Sequence, residues 1–185
     1  MHPQLQVITD QFAAAQTRLH ALAGATPEDW WSRRRDPARW SAGECVAHLN
    51  LTARAFLPLI RRALDEGRRA VSPPPSRYRR DPIGWLLWRS MGPPVRHRFR
   101  TTAPFVPSGA EPLARAVETF DRLQAEQMGC VADAEGLPLG ALRITSPFNA
   151  RIRYNLYSCL TILPLHQHRH LWQAEQVLEG LRGGR

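Results

Sequence analysis

Apolar residues recur at intervals of three and four along four separate stretches of this chain. The first stretch passes through Leu5, Ile8, Phe12, Ala15, Leu19 and Leu22 and stops at Gly24, which is one stripe of an amphipathic helix. The second opens on "SAGE", where Ser41 and Glu44 are spaced to cap each other's backbone as a capping box. Its stripe of Cys45, Leu49, Thr52, Phe56, Ile60 and Ala63 runs to about Glu66, ahead of Gly67, and His48 lies on the same face. A second such box, "SGAE" at Ser108 to Glu111, precedes Leu113, Val117, Phe120, Leu123 or Gln124, and Met128, with Gly129 as the stop. The last stripe reads Leu156, Cys159 or Leu160, Leu163, His166, His170, Gln173, Val177 and Leu181. "TPEDWWSRRRDPARW" and "ADAEGLPLGALRITSP" show no sustained period and read as connectors. Four amphipathic helices predict an all-α fold, a four-helix bundle with antiparallel packing, in one domain over residues 1–185.

Three histidines in five positions interrupt the last stripe, in "LPLHQHRHLWQ". Their alternation suits a strand, which would put all three on one face. The spacing of threes and fours, carried through His166 and His170 to Leu181, favours helix instead. At about 100° per residue, His170 falls about 40° from His166 one turn on, and His168 falls about 200° round, toward solvent. Pro164 predicts a kink or the start of that helix.

Between the second and third stripes, residues 67–108 break the pattern. "SPPPSRYRR", "GPPVRHRFR" and "TTAPFVPSG" are basic and proline-rich, and they flank one apolar piece, "IGWLLWRSM". Long segments of this kind are often lids or binding loops, and this one is expected to fold over one end of the bundle. All 25 basic residues are arginine, and the formal charge is +9. Residues 61–100 hold eleven arginines against Asp65, Glu66 and Asp81, which is +8 of that total. Such a patch attracts nucleic acid, an anionic membrane or an acidic small molecule, or is a solvated loop with an arginine bias. No apolar run approaches the roughly 20 residues that span a bilayer. "MHPQLQVITDQF" lacks the basic and apolar regions of a secretory signal. Three widely spaced cysteines, Cys45, Cys130 and Cys159, read as reduced thiols in a cytoplasmic protein.

Two histidines at i and i+4 have Cβ atoms about 6 Å apart, which suits two ligands on one metal and equally two core histidines. His48, on the core face of another helix, adds a third imidazole. Burying three is costly unless each nitrogen finds a partner, and a shared metal satisfies them together. Three protein ligands leave a position open, the arrangement of a catalytic rather than a structural site. His2, His20 and His97 have no such setting and read as surface residues. A nucleophilic pair of histidine with Cys45 or Cys159 is the weaker reading, because cysteine on an apolar stripe is ordinarily a small hydrophobe. Trp30, Trp31, Trp40 and Trp172 read as core and connector packing.

"RWSAGECVAHLN" resembles the W-S-x-x-E-x-x-x-H-L segment of the DinB-like (DinB/YfiT) superfamily. "ILPLHQHRHLWQAEQV" is similar to its second signature, a histidine, three residues, then R-H-L-x-Q, and "RFRTTAPFVPSG" to the stretch before the third helix in the DinB_2 subgroup. The resemblance implies a four-helix bundle with a long crossover between its second and third helices, here residues 67–108. It also implies a divalent metal, zinc or nickel, on His48, His166 and His170, with His168 matching no ligand position. Relatives include transferases that use bacillithiol, mycothiol or glutathione, and a mycothiol-dependent maleylpyruvate isomerase. The family's name comes from damage induction and does not imply DNA binding. The leading expectation is therefore a metal-dependent S-transferase joining a low-molecular-weight thiol to an electrophilic small molecule, with the thiolate as nucleophile. The crossover arginines would recruit carboxylates and "IGWLLW" would wall the pocket. A metal-dependent hydrolase and a non-catalytic, stress-related binding protein are the alternatives. No nucleic-acid partner is expected, and a homodimer is left open.

Overall fold

The computed structural model describes residues 1–70, 73, 75–92 and 101–183. His97, the arginines of "RHRFR" and parts of the crossover lie outside the described residues. The fold is all-α apart from one small hairpin. Four long helices, α1 (Pro3–Gly24), α3 (Ala42–Arg69), α5 (Leu113–Asp133) and α6 (Leu156–Arg182), are joined by the short α2 (Glu28–Trp31) and α4 (Pro82–Met91). Helices α1 and α3 each pack against both α5 and α6, so they face one another across the bundle diagonal.

Helix α1 buries Leu5, Ile8, Phe12, Ala15 and Leu19, the stripe its sequence announces. His2, expected to be idle at the surface, caps it: the Gln4 N–H donates to His2 Nδ1 at 3.2 Å. His20 is exposed and pairs with Asp121. The capping box of α3 forms, with the Glu44 N–H donating to Ser41 Oγ at 3.2 Å and the Ser41 N–H to Glu44 Oε2 at 2.8 Å. The Arg34 guanidinium clasps both oxygens of the same carboxylate, and this holds the Glu44 carboxyl below its ordinary range. The connector after α2 is thereby fastened to the start of α3.

Three predicted boundaries move. Gly67 does not end α3, which continues to Arg69. A Cβ at Gly67 would meet Leu142 Cδ1 at 2.8 Å, so that glycine admits a neighbouring loop. The box at Ser108 does not form: α5 begins after Pro112, with no side-chain cap. Proline keeps the residue before it out of the helical region, so Glu111 cannot belong to a first turn. Gly129 then lies inside α5. The connector before α6 holds an antiparallel hairpin, β1 (Arg143–Thr145) with β2 (Arg153–Asn155), pairing Ile144 with Tyr154.

Within the crossover, α4 packs along α6, while Tyr78 before it bonds to Gln4 at the start of α1. Asp81 caps α4 through the Gly84 N–H at 2.9 Å and also accepts from Ser158 Oγ and the Asn155 N–H. A Cβ at Gly84 would fall 2.0 Å from Ser158 Oγ, so only glycine lets α4 come this close. Further along, Arg80 lies 4.1 Å over the Trp88 ring and donates to Thr161 Oγ1. Leu87, Trp88 and Met91 pack inward, whereas Ile83, Trp85 and Leu86 are exposed. Among the described residues no helix is long and apolar enough to cross a membrane.

Candidate metal centre

Helix α6 starts at Asn155, whose side chain accepts from the Ser158 N–H at 2.8 Å. It passes through Pro164 without ending. Its second half has two inward faces. Leu171, Ala174 and Leu178 are buried in the bundle core. His166, His170, Gln173 and Val177, the predicted stripe, line a cavity instead. His168 is half-buried on a different side and outside that cavity.

The structure brings His48, His166 and His170 together. All three are buried, and one ligand atom from each falls within a 4.8 Å set that could hold a metal ion. His48 Nε2 faces His166 Nε2 at 3.3 Å, and His170 Nε2 faces the same atom at 3.1 Å. Two imidazole nitrogens, each about 2.0–2.1 Å from one tetrahedral zinc, stand about 3.3 Å apart.

Protons alone satisfy this arrangement poorly. His48 Nδ1 lies 2.7 Å from the Phe105 carbonyl. A carbonyl only accepts, so Nδ1 carries the proton and Nε2 points a bare lone pair inward. Burial holds all three imidazoles below their ordinary pKa. For His48 the Phe105 hydrogen bond partly offsets this, and for His166 and His170 the neighbouring histidines and Arg169 push further down. The rings are thus neutral donors, and His170 Nδ1 has no hydrogen-bond partner among the described residues. The donor set fits a divalent cation. The Phe105 carbonyl fixes tautomer and ring orientation as outer partners of metal-bound histidines do.

A cavity of about 1030 Å³ opens above the imidazoles. Phe56, Leu87, Met91, Phe148, Ile152 and Ile162 make much of its apolar wall. The Phe148 ring stands 6.2 Å from that of His48 and 4.1 Å from that of Phe105. Of the expected crossover wall "IGWLLW", Leu87 takes part, and Met91, just beyond it, lines the cavity as well. The described arginines that line the cavity are Arg35, Arg39 and Arg169. They come from the α2–α3 connector and α6, not from residues 61–100.

Trp40 and Trp172, expected as packing, line the cavity too. The Trp40 ring lies 5.0 Å from that of His48 and 6.0 Å from that of His170. The signal for Trp40 was its place directly before the capping box, which fixes its distance from His48. Phe148 sits in an aperiodic connector and carried no signal. Cys45 also lines the cavity, but burial pushes its thiol up to about 12. A neutral thiol at that position is not a nucleophile, so the cysteine–histidine reading fails.

A model of the DinB superfamily matches residues 11–174 of the chain. No curated protein and no solved structure matches.

Proposed function

The chain belongs to the DinB superfamily, and on that premise we propose a metal-dependent S-transferase that joins a low-molecular-weight thiol to an electrophilic small molecule. The observation that carries the reading is the convergence of three neutral, buried imidazole nitrogens on the floor of an open cavity. His48, His166 and His170 would hold a divalent metal, zinc or nickel. When bound, such a cation supplies a Lewis acid that lowers the pKa of a thiol reaching it.

The chain's own residues supply position and exclusion. The Phe105 carbonyl keeps the His48 proton on Nδ1, so Nε2 stays available. Trp40, Phe56 and Phe148 cover the imidazoles with apolar surface, which keeps water away from a sulfur nucleophile and favours an apolar electrophile. Arg35 brings positive charge to the wall. In the reaction a carbon–sulfur bond forms, the electrophile's leaving group departs with its electron pair, and the thiol proton passes to solvent.

Metal-dependent hydrolysis is the second reading. Against it, the one carboxylate among the described cavity residues is Asp36, paired with Arg39 at 3.5 Å. Elemental analysis of protein purified without added metal is the first test, with about one divalent ion per chain expected. Consumption of glutathione, bacillithiol or mycothiol with chlorodinitrobenzene or bromobimane is the second. Metal-dependent turnover without any thiol would replace the transferase by the hydrolase. Metal-loaded protein inert with every thiol and with ester substrates would leave a binding protein.

A further inference from the structure

We propose that the cavity mouth carries a carboxylate subsite built from Arg35, seated in a notch that Gly180 cuts into α6. It takes the carboxylate of an extended molecule whose other end reaches the three histidines, about 15 Å along α6 from Gly180 at the helical rise. The proposal rests on the cavity reading above and adds the class of ligand.

Three observations meet at Arg35. It lines the cavity together with Trp40 and Gln176. A Cβ at Gly180 would meet Arg35 Cδ at 2.4 Å, Nη1 at 2.6 Å and Nε at 2.7 Å, so the guanidinium lies flat against the helix where any larger residue would stand. Glycine inside a helix is unfavourable relative to alanine, and the notch gives this one a reason. Lastly, two neighbouring arginines are committed: Arg34 pairs with Glu44, and Arg39 with Asp36. Among the described residues no carboxylate pairs with Arg35. A guanidinium fork held in place with its charge uncommitted suits a planar carboxylate, which it can bind through two parallel N–H donors. Because the notch already orders the side chain, binding costs less rotamer freedom than a mobile surface arginine would lose. A doubly charged phosphate fits less well, since Asp36 stands on the same rim.

The carboxylate belongs either to the thiol or to the electrophile, and paired probes separate the two. 12-Mercaptododecanoate against its amide tests the thiol; 12-bromododecanoate against its methyl ester tests the electrophile. Binding is measured by calorimetry on the full chain with its resident metal. In the wild type the acid of one pair should bind about tenfold tighter than its neutral partner, as a charge-assisted hydrogen-bonded contact warrants. Arg35→Ala should abolish that preference. Gly180→Ala should shrink it by displacing the guanidinium, while its Tm stays at or above that of the wild type. Arg62→Ala, on the exposed side of α3, should keep the preference. An equal affinity for acid and neutral probes in both pairs, or a preference that survives Arg35→Ala, overturns the subsite. Thiol turnover with no acid preference sinks the subsite alone. An acid preference in protein that never consumes thiol sinks the transferase reading and leaves the subsite standing.

Discussion

The two inward faces of α6 both carry polar side chains, and the difference lies in how those side chains end. On the core face Gln167 exchanges amide hydrogen bonds with Gln124, at 2.7 Å and 3.1 Å, and Gln124 also donates to the Phe12 carbonyl. The pair's amides thus meet partners of opposite sense, and Leu171 and Leu178 are buried further along the helix. On the cavity face the Nε2 atoms of His166 and His170 meet further imidazole nitrogens. A closed polar network fixes how helices pack, whereas an open one asks for something from outside. Polarity inside a bundle is thus no sign of function until its lone pairs and protons are counted.

The contrast breaks most sharply at the histidines. His166→Ala or His170→Ala should abolish stoichiometric metal binding, while His168→Ala leaves it unchanged; metal content after gel filtration decides. Equal metal loss in all three variants would mean that the cavity face is not the metal face. On the core face, Leu171→Ala should destabilise by about 2–5 kcal/mol, as buried leucine truncations do, yet retain the metal. Denaturant melts with metal analysis on the same sample check both halves of that statement. Coupled loss of metal would show that the two faces are one unit.

Acid sharpens the comparison further. Folding depresses the pKa of His48, His166 and His170 below the unfolded value of about 6.5. The unfolded chain therefore binds more protons than the folded one as pH falls through that value. Stability contributed by the neutral rings is complete above it and declines below it, by about 1.4 kcal/mol per pH unit for each ring that charges only on unfolding. Chelated protein should thus lose stability progressively below about pH 6.5, and metal should blunt the loss near neutrality. The glutamine network, which does not titrate, contributes nothing to the slope, so a His166→Ala, His170→Ala double variant should flatten it. An unchanged slope would place the acid sensitivity elsewhere.

Much of the frame was legible because a helical stripe needs only one face to be apolar. The phases of α1 and α3 placed Phe12, His48 and Phe56 correctly. The phase of α6 brought His166 and His170 together, but assigned Gln173 and Val177 to the core, because a cavity wall and a core face look alike in hydropathy. The connectors hid the rest. Strands of three residues, as in β1 and β2, are too short to show alternation, so Phe148 could not be placed beside His48. Arginine density pointed to residues 61–100, yet Arg61, Arg62 and Arg68 are spent on Glu126, Glu66, Asp65 and Asp133. Charge density is readable along a chain; the direction a guanidinium takes depends on contacts made across it, as Gly180 shows for Arg35.

The Asp81 carboxylate, bonded at once to the start of α4, to the first turn of α6 and to Asn155 at the end of β2, has a consequence for chain length. In polymer terms it divides the crossover between α3 and α5 into two independent loops, one on each side of a fixed point. Closing a loop costs only in proportion to the logarithm of its length, so either span tolerates inserted residues with little penalty. Leu87 and Met91, close to the fixed point, stay in register with the histidine-bearing helix when residues are inserted away from Arg80 and Phe105, which make bonds of their own.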